Sequence, residues 1–209
     1  MSRVDPTRTL ASMDRAERNI RFGVARGLTR TAQEAAAAVK GSMAQKFDRP
    51  TPFTQNAAAF LPAKRESLTA LVFVKDVQAG YLRLEETGGV RVPEPGKPIN
   101  QPVGQRVNAF GNIPRGAIGR IRDRPDVFVA AGRGGAAHLP PGIYQRPKKG
   151  ARRKAAERPP GLKLLVAFER RAEYEPRFGF RTTVLESARR NVGANIRRSV
   201  AEALGSMRR

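Results

Sequence analysis

The sequence predicts an α+β fold: an antiparallel sheet of about four strands packed against long N-terminal and C-terminal helices, with long Pro/Gly-rich loops. Three observations predict it. Apolar residues recur at four-residue spacing near both ends of the chain. Strand-like runs lie between those ends. The 16 Pro and 20 Gly, many of them in the middle, imply long irregular connections. A chain of 209 residues suits one domain over residues 1–209, with excursions at 88–111 and 146–160.

The first helix is expected over residues 13–46. Ile20, Val24 and Leu28 repeat four apart, and Ala35, Val39 and Met43 continue the stripe. The run Ala35-Ala36-Ala37-Ala38 favours helix, whereas Gly23, Gly27 and Gly41 weaken it and predict a bend near Gly23–Gly27. Pro50 and Pro52 end it. Residues 57–63 and 68–75, joined by Lys64-Arg65-Glu66-Ser67, read as a hairpin. Leu71-Val72-Phe73-Val74 is apolar throughout, as in a strand covered on both faces. Residues 88–111, with Pro93, Pro95, Pro98 and Pro102, read as an extended loop. A short helix over 114–122 starts on Pro114, and a short strand follows over 126–131. Residues 162–169 give the clearest two-residue alternation. The last helix is expected over 183–207. Thr183 and Glu186 would form its capping box, Val184, Ala188, Val192, Ile196 and Val200 its apolar stripe, and Arg189, Arg190, Arg197 and Arg198 its opposite face. Phe47, Phe53, Leu71, Phe73, Leu164, Val166, Phe168, Val184 and Val192 are the expected packing residues.

Charge is the strongest compositional signal. The chain carries 40 Lys+Arg against 18 Asp+Glu, a net +22. Self-repulsion on this scale calls for an anionic neighbour: nucleic acid, an acidic protein surface or an anionic membrane. Positive charge concentrates at Arg146, Lys148, Lys149, Arg152, Arg153, Lys154 and Arg158, opposed there only by Glu157. Such a Pro-bounded segment suits phosphate contact or docking on an acidic subunit. Sparse aromatics argue against base stacking.

The absence of Cys excludes disulfides, a catalytic thiolate and thiolate metal sites, and a single His, His138, excludes multi-His metal sites within one chain. No run of about 18 apolar residues exists to span a membrane. Met1-Ser2-Arg3-Val4-Asp5 lacks the apolar core of a signal peptide, so folding in a cytoplasm is expected.

Candidate chemistry is thin. Gly132-Arg133-Gly134-Gly135 lacks the GxGxxG frame and reads as a turn. His138 has no Ser–Asp partner motif and reads as structural or merely exposed. Glu85 and Glu86 are adjacent, which on a strand puts them on opposite faces, and neither they nor Glu173 and Glu175, which flank Tyr174, sit in a motif that positions substrate; surface ion pairing is the plainer reading. No enzymatic activity and no cofactor are expected.

One segment and its sequel resemble a known family. Phe47-Asp48-Arg49-Pro50-Thr51-Pro52-Phe53-Thr54, directly after an Ala-rich helix, resembles the signature of the minor tail protein Z family of tailed bacteriophages. Tyr81-Leu82-Arg83 ahead of Gly88-Gly89, then Asn108-Ala109-Phe110-Gly111-Asn112-Ile113-Pro114-Arg115-Gly116, follow in the family's order. Leu139-Pro140-Pro141-Gly142-Ile143-Tyr144-Gln145-Arg146 resembles the family's "LPxGIWxR" strand, with Tyr144 at the aromatic position. Residues 162–168, Tyr174-Glu175-Pro176-Arg177-Phe178 and a final helix complete a likeness over about residues 27–204. The stretch between Gly116 and Leu139 is shorter and more Gly-rich than in longer members.

The resemblance implies a structural tail completion protein without catalytic residues. It would join the head-proximal end of a long, non-contractile tail, assembled in the host cytoplasm and located at the neck of the virion. Implied partners are copies of itself in a six-fold ring, the tail tube or tail terminator protein, the head connector protein and the terminal genomic DNA, with no membrane. Asp48, Arg49, Pro50, Thr51, Pro52 and Phe53 are the expected subunit or connector interface; the 88–111 stretch is expected to contribute to it; the cations from Arg146 to Arg158 are the expected contact to DNA or an acidic partner. The alternatives are a tail terminator or other head–tail connector ring, and a free basic nucleic-acid-binding protein.

Overall fold

The computed structural model describes residues 6–94, 96–132, 134–147 and 161–206. In chain order the elements are α1 (Pro6–Lys46), α2 (Pro52–Gln55), β1 (Ala58–Leu61), β2 (Leu71–Val74), α3 (Asp76–Thr87), β3 (Gly89–Arg91), β4 (Ile99–Pro102), α4 (Ala117–Arg122), β5 (Val127–Ala130), β6 (Gly142–Gln145), β7 (Lys163–Glu169), β8 (Ala172–Tyr174) and α5 (Phe180–Gly205). The fold is α+β with antiparallel pairing throughout, as expected. The chain divides into two compact units, one of the described residues up to Thr87 and from Pro176, the other Gly88–Glu175.

The first unit is built on an antiparallel pair, α1 against α5. Its seam keeps the second half of the predicted α1 stripe, Ala35, Val39 and Met43, but not Ile20, Val24 and Leu28. Gly23, Gly27, Thr31, Ala35, Val39 and Met43, four apart, are the buried row of α1. Facing them α5 buries Ser187, Asn195, Ser199 and Ala203. A Cβ on Gly23 would lie 2.6 Å from the Val200 Cα, and one on Gly27 2.7 Å from the Ile196 Cα. Helix backbones can approach this closely only where side chains are absent. The glycines read as a bend thus set an interhelical contact. Ile20 consequently lies 42% exposed, and Val24, Leu28 and the predicted α5 stripe are half-buried. Asn195 Nδ2 donates to Thr31 Oγ1 at 3.2 Å and to Glu34 Oε2 at 2.8 Å, so the one amide in the seam is satisfied.

Beyond this seam Val39 and Met43 meet Ala57, Leu82 and Phe178, with Phe47, Val74, Phe180 and Val184 packed around them. The hairpin β1–β2 pairs Ala58 with Val74 and Leu61 with Leu71. It packs on α1 at Ala58 and Val74, and its connecting loop is tied further along the helix, Ala63 N donating to Thr29 Oγ1 at 3.0 Å and Arg21 Nη1 to Arg65 O at 3.2 Å. Leu71 is 54% and Phe73 38% exposed, so β2 is not covered on both faces and these two are not core residues. Helix α3, absent from the expected elements, buries Gln78, Leu82 and Glu85 at helical spacing.

Thr183 and Glu186 form no capping box, since Thr183 lies inside the helix and its Oγ1 donates to Gly179 O at 2.8 Å. Helix α5 starts at Phe180, and its N-cap, Gly179 (φ 61°), has no side chain to offer. Glu86 on α3 serves instead, accepting from Phe180 N at 2.7 Å and Arg181 N at 3.2 Å. A carboxylate there also complements the helix dipole.

The second unit holds the four-stranded sheet, in the order β4-β7-β6-β5, and a separate pair β3–β8. The helix on this sheet is the short α4. Ala117 and Ile121 bury against Val127, Ile143, Leu165 and Val166, with Ile113, Ile118 and Phe168 alongside. The clear alternation over 162–169 is β7, a central strand. The stretch 88–111, read as one extended loop, contains β3 and β4. Pro102 ends β4 on the sheet edge, where its missing N–H costs no ladder bond.

Candidate functional site

The segment from Asp48 to Thr54 forms a built knuckle between α1 and β1. Asp48 and Arg49 are exposed and pair with each other, Arg49 Nη2 to Asp48 Oδ2 at 3.1 Å, and this bond raises the Arg49 pKa further. Arg49 takes a left-handed backbone, φ 46°. Thr51 then caps α2, its Oγ1 accepting from Thr54 N at 3.2 Å, with Pro52 in the first turn where no N–H is needed. Gln55 Nε2 donates to Pro50 O at 2.9 Å and Asn56 Nδ2 to Pro52 O at 2.8 Å. Helix α3 braces the knuckle: Gln78 Nε2 donates to Phe53 O at 3.2 Å, and the Thr54 and Tyr81 hydroxyls lie 3.1 Å apart.

This bracing points Phe53 outward. The residue is 56% exposed, which removes it from the packing residues the sequence suggested and is compatible with its place among the expected interface residues. Val77, at 72%, lies across a shallow cleft of about 520 Å³ lined by Pro52, Phe53, Asn56, Lys75, Asp76, Val77 and Gln78. Sequence reasoning missed Val77 because α3 was not foreseen. An exposed aromatic on a fixed backbone beside an exposed aliphatic is what a protein contact uses as an anchor.

The basic segment starts in the other unit. Arg146 is exposed, its guanidinium 4.8 Å above the Phe128 ring and its backbone N–H on Asp126 O at 2.7 Å. Asp126 is gripped by Arg124, with bonds of 3.0 and 2.7 Å, and by Gln145 at 2.7 Å. The Arg124 bond, then the Gln145 bond, hold its carboxyl below the usual aspartate range. Lys148, Lys149, Arg152, Arg153, Lys154 and Arg158 lie outside the described residues.

The minor candidates take structural places. Glu85 is on helix α3, not a strand, and accepts a two-pronged bond from Arg177, Nη2 to Oε1 at 3.0 Å. Glu86 caps α5, as above. Glu173 pairs with Arg171 at 3.1 Å, and Glu175 and His138 are exposed. Gly134 opens a single 3-10 turn. Among the described residues no three His, Asp or Glu converge as a metal site requires, and no helix is long and apolar enough to cross a membrane. Comparison with protein-family models, curated proteins and solved structures finds no match to this chain.

Proposed function

We propose that this chain is a tail completion protein of a long-tailed bacteriophage, a structural subunit that closes into a ring at the head-proximal end of the tail and joins it to the head connector. The sequence likeness to the minor tail protein Z family suggests the reading. The observation that carries it is the knuckle: its most characteristic segment, Asp48 to Phe53, is fixed from within and from α3 and spends that order on holding Phe53 out in solvent. Order of this kind at an exposed apolar residue serves contact with another chain. The net +22 fits a subunit whose neighbours are acidic tube, terminator or connector proteins, or the end of the packaged DNA. In this reading the cations from Arg146 to Arg158 meet one of these.

The test is Phe53→Asp. Because Phe53 is largely exposed, monomer stability should stay within about 0.5 kcal/mol of wild type. Ring formation, followed by native mass spectrometry, should be lost. Rings that form as readily with Asp at this position would overturn the knuckle as a subunit contact.

A further inference from the structure

The outward face of α5 carries a second cationic feature that the knuckle and the basic segment do not use. Arg189, Arg190, Arg197 and Arg198 are all exposed, and among the described residues none forms an ion pair. Arg21, Arg26, Arg30, Arg49, Arg124, Arg171 and Arg177 each hold a carboxylate, whereas Arg83, Arg91, Arg106, Arg115, Arg120 and Arg122 are exposed and in no ion pair among the described residues, as the α5 arginines are; what sets α5 apart is four such cations on the outward side of one helix. At about 100° per residue Arg190 and Arg197 fall on one line, with Arg189 and Arg198 about a quarter-turn to either side. The two pairs are about 11 to 12 Å apart along the axis. Between and beside them lie Gly193, Ala194 and Ala201, all exposed, and one acidic residue, Glu186, is exposed a turn before Arg190. Arg197 Nη1 would meet a Cβ on Gly193 at 3.4 Å, so its guanidinium lies back over that bare stretch of helix.

We propose that this face binds the phosphate backbone of duplex nucleic acid. What it lacks chooses this occupant over an acidic protein. A protein interface draws its affinity from buried aromatic or aliphatic anchors, and exposed ion pairs add about 0–1 kcal/mol each. On the outward line between the arginines stand only Gly193 and Ala194, while Val192 and Ile196, also between them in sequence, are half-buried, so the stretch between the arginines offers no exposed large apolar anchor. Charge alone suffices for a polyphosphate, because each neutralised phosphate releases condensed counterions. All four cations are Arg, whose planar fork fits a phosphate with two donors. Small residues between them let the backbone of the duplex approach the helix. The inference deepens the preceding reading by naming what one face of the subunit meets. Its test uses the isolated chain, so its failure leaves ring assembly untouched, and failure of ring assembly leaves it standing.

The experiment measures binding of the full chain to short duplex DNA of mixed sequence by fluorescence anisotropy across a salt series. Three proteins are compared: wild type, a variant with Arg189, Arg190, Arg197 and Arg198 each replaced by Gln, and a control with Arg106, Arg115, Arg120 and Arg122 each replaced by Gln. Both variants lose the same charge, and melting curves establish that both fold. The α5 variant should bind at least about tenfold more weakly, and its slope of log affinity against log salt should fall by about 3 to 4. The control slope should change by less than about 1. The pair Arg190→Gln with Arg197→Gln should give about half the α5 effect. Equal losses in both quadruple variants would overturn the proposal, since net charge alone would then account for binding. So would an α5 variant that binds duplex like wild type but no longer binds polyglutamate, which would mark an acidic protein surface.

Discussion

Arg177 shows how much one contact can carry here. Glu85 is 11% exposed at its side chain, and Arg177, 56% exposed, supplies its charge partner while lying 5.3 Å over the Phe47 ring. The Glu85 carbonyl also accepts from Arg177 N and Phe178 N, both at 2.8 Å, which seats Phe178 in the core. Arg177→Ala would leave a nearly buried carboxylate unpaired and should cost about 2 kcal/mol in chemical denaturation, with Arg177→Lys falling between it and wild type. Asp126 makes a pH-dependent counterpart. Its folded pKa is depressed by Arg124 and Gln145. Its contribution is therefore present above the unfolded value of about 3.9 and is lost as pH falls through the folded value. Asp126→Asn should lower the melting temperature near neutral pH, and the gap to wild type should close in strong acid. A gap that stays constant with pH would contradict the assignment. None of these partnerships is visible in sequence: Glu85 and Arg177 are 92 residues apart, and only the packing of α3 against the start of α5 brings them together.

At the scale of elements, strong periodicity was read well and its facing was not. Both long helices, the hairpin, α4, β5 and β7 stand close to where alternation and turn residues put them. Helix α3 went unseen because its buried positions are Gln78, Leu82 and Glu85, two of them polar, so no apolar stripe marks it. Strands β3 and β4 went unseen because prolines surround them and each is held by a partner distant in sequence. The expected seam is off by about one position along α5 and the first half of α1, for a related reason, while Ala35, Val39 and Met43 are buried as expected. Apolar stripes announce burial by size, whereas this seam selects Gly, Ser, Thr and Ala for close approach. The glycines allow a paired test. Gly27→Ala gains about 1 kcal/mol of helix propensity but drives a Cβ into the Ile196 backbone, and overpacking of about 1–3 kcal/mol should leave the protein less stable. Gly41, with nothing within 4 Å of an added Cβ, should become about 0.5–1 kcal/mol more stable as Ala. Thermal melts of the two variants should move in opposite directions, and a stabilised Gly27→Ala would show that the seam is looser than described.

In the proposed reading the whole molecule, with its net charge of +22, is a scaffold that presents contacts. The turn around Asp48 to Phe53 was legible because Pro50, Thr51 and Pro52 encode a stop, a cap and a first turn in consecutive residues. Its outward aromatic was not, since exposure follows from α3 bracing the knuckle from below. The charge was legible from composition, but its division between the segment that starts at Arg146 and the arginine face of α5 needed the fold. Placement among neighbours, with no bond made or broken, is the central claim. A reconstruction of a phage neck, made to find whether it holds this chain, tests it most directly. The account predicts density for the chain as a six-fold ring between tail tube and head connector, with the Phe53 knuckle against a neighbouring subunit. Particles that are complete and infectious without this chain would contradict it.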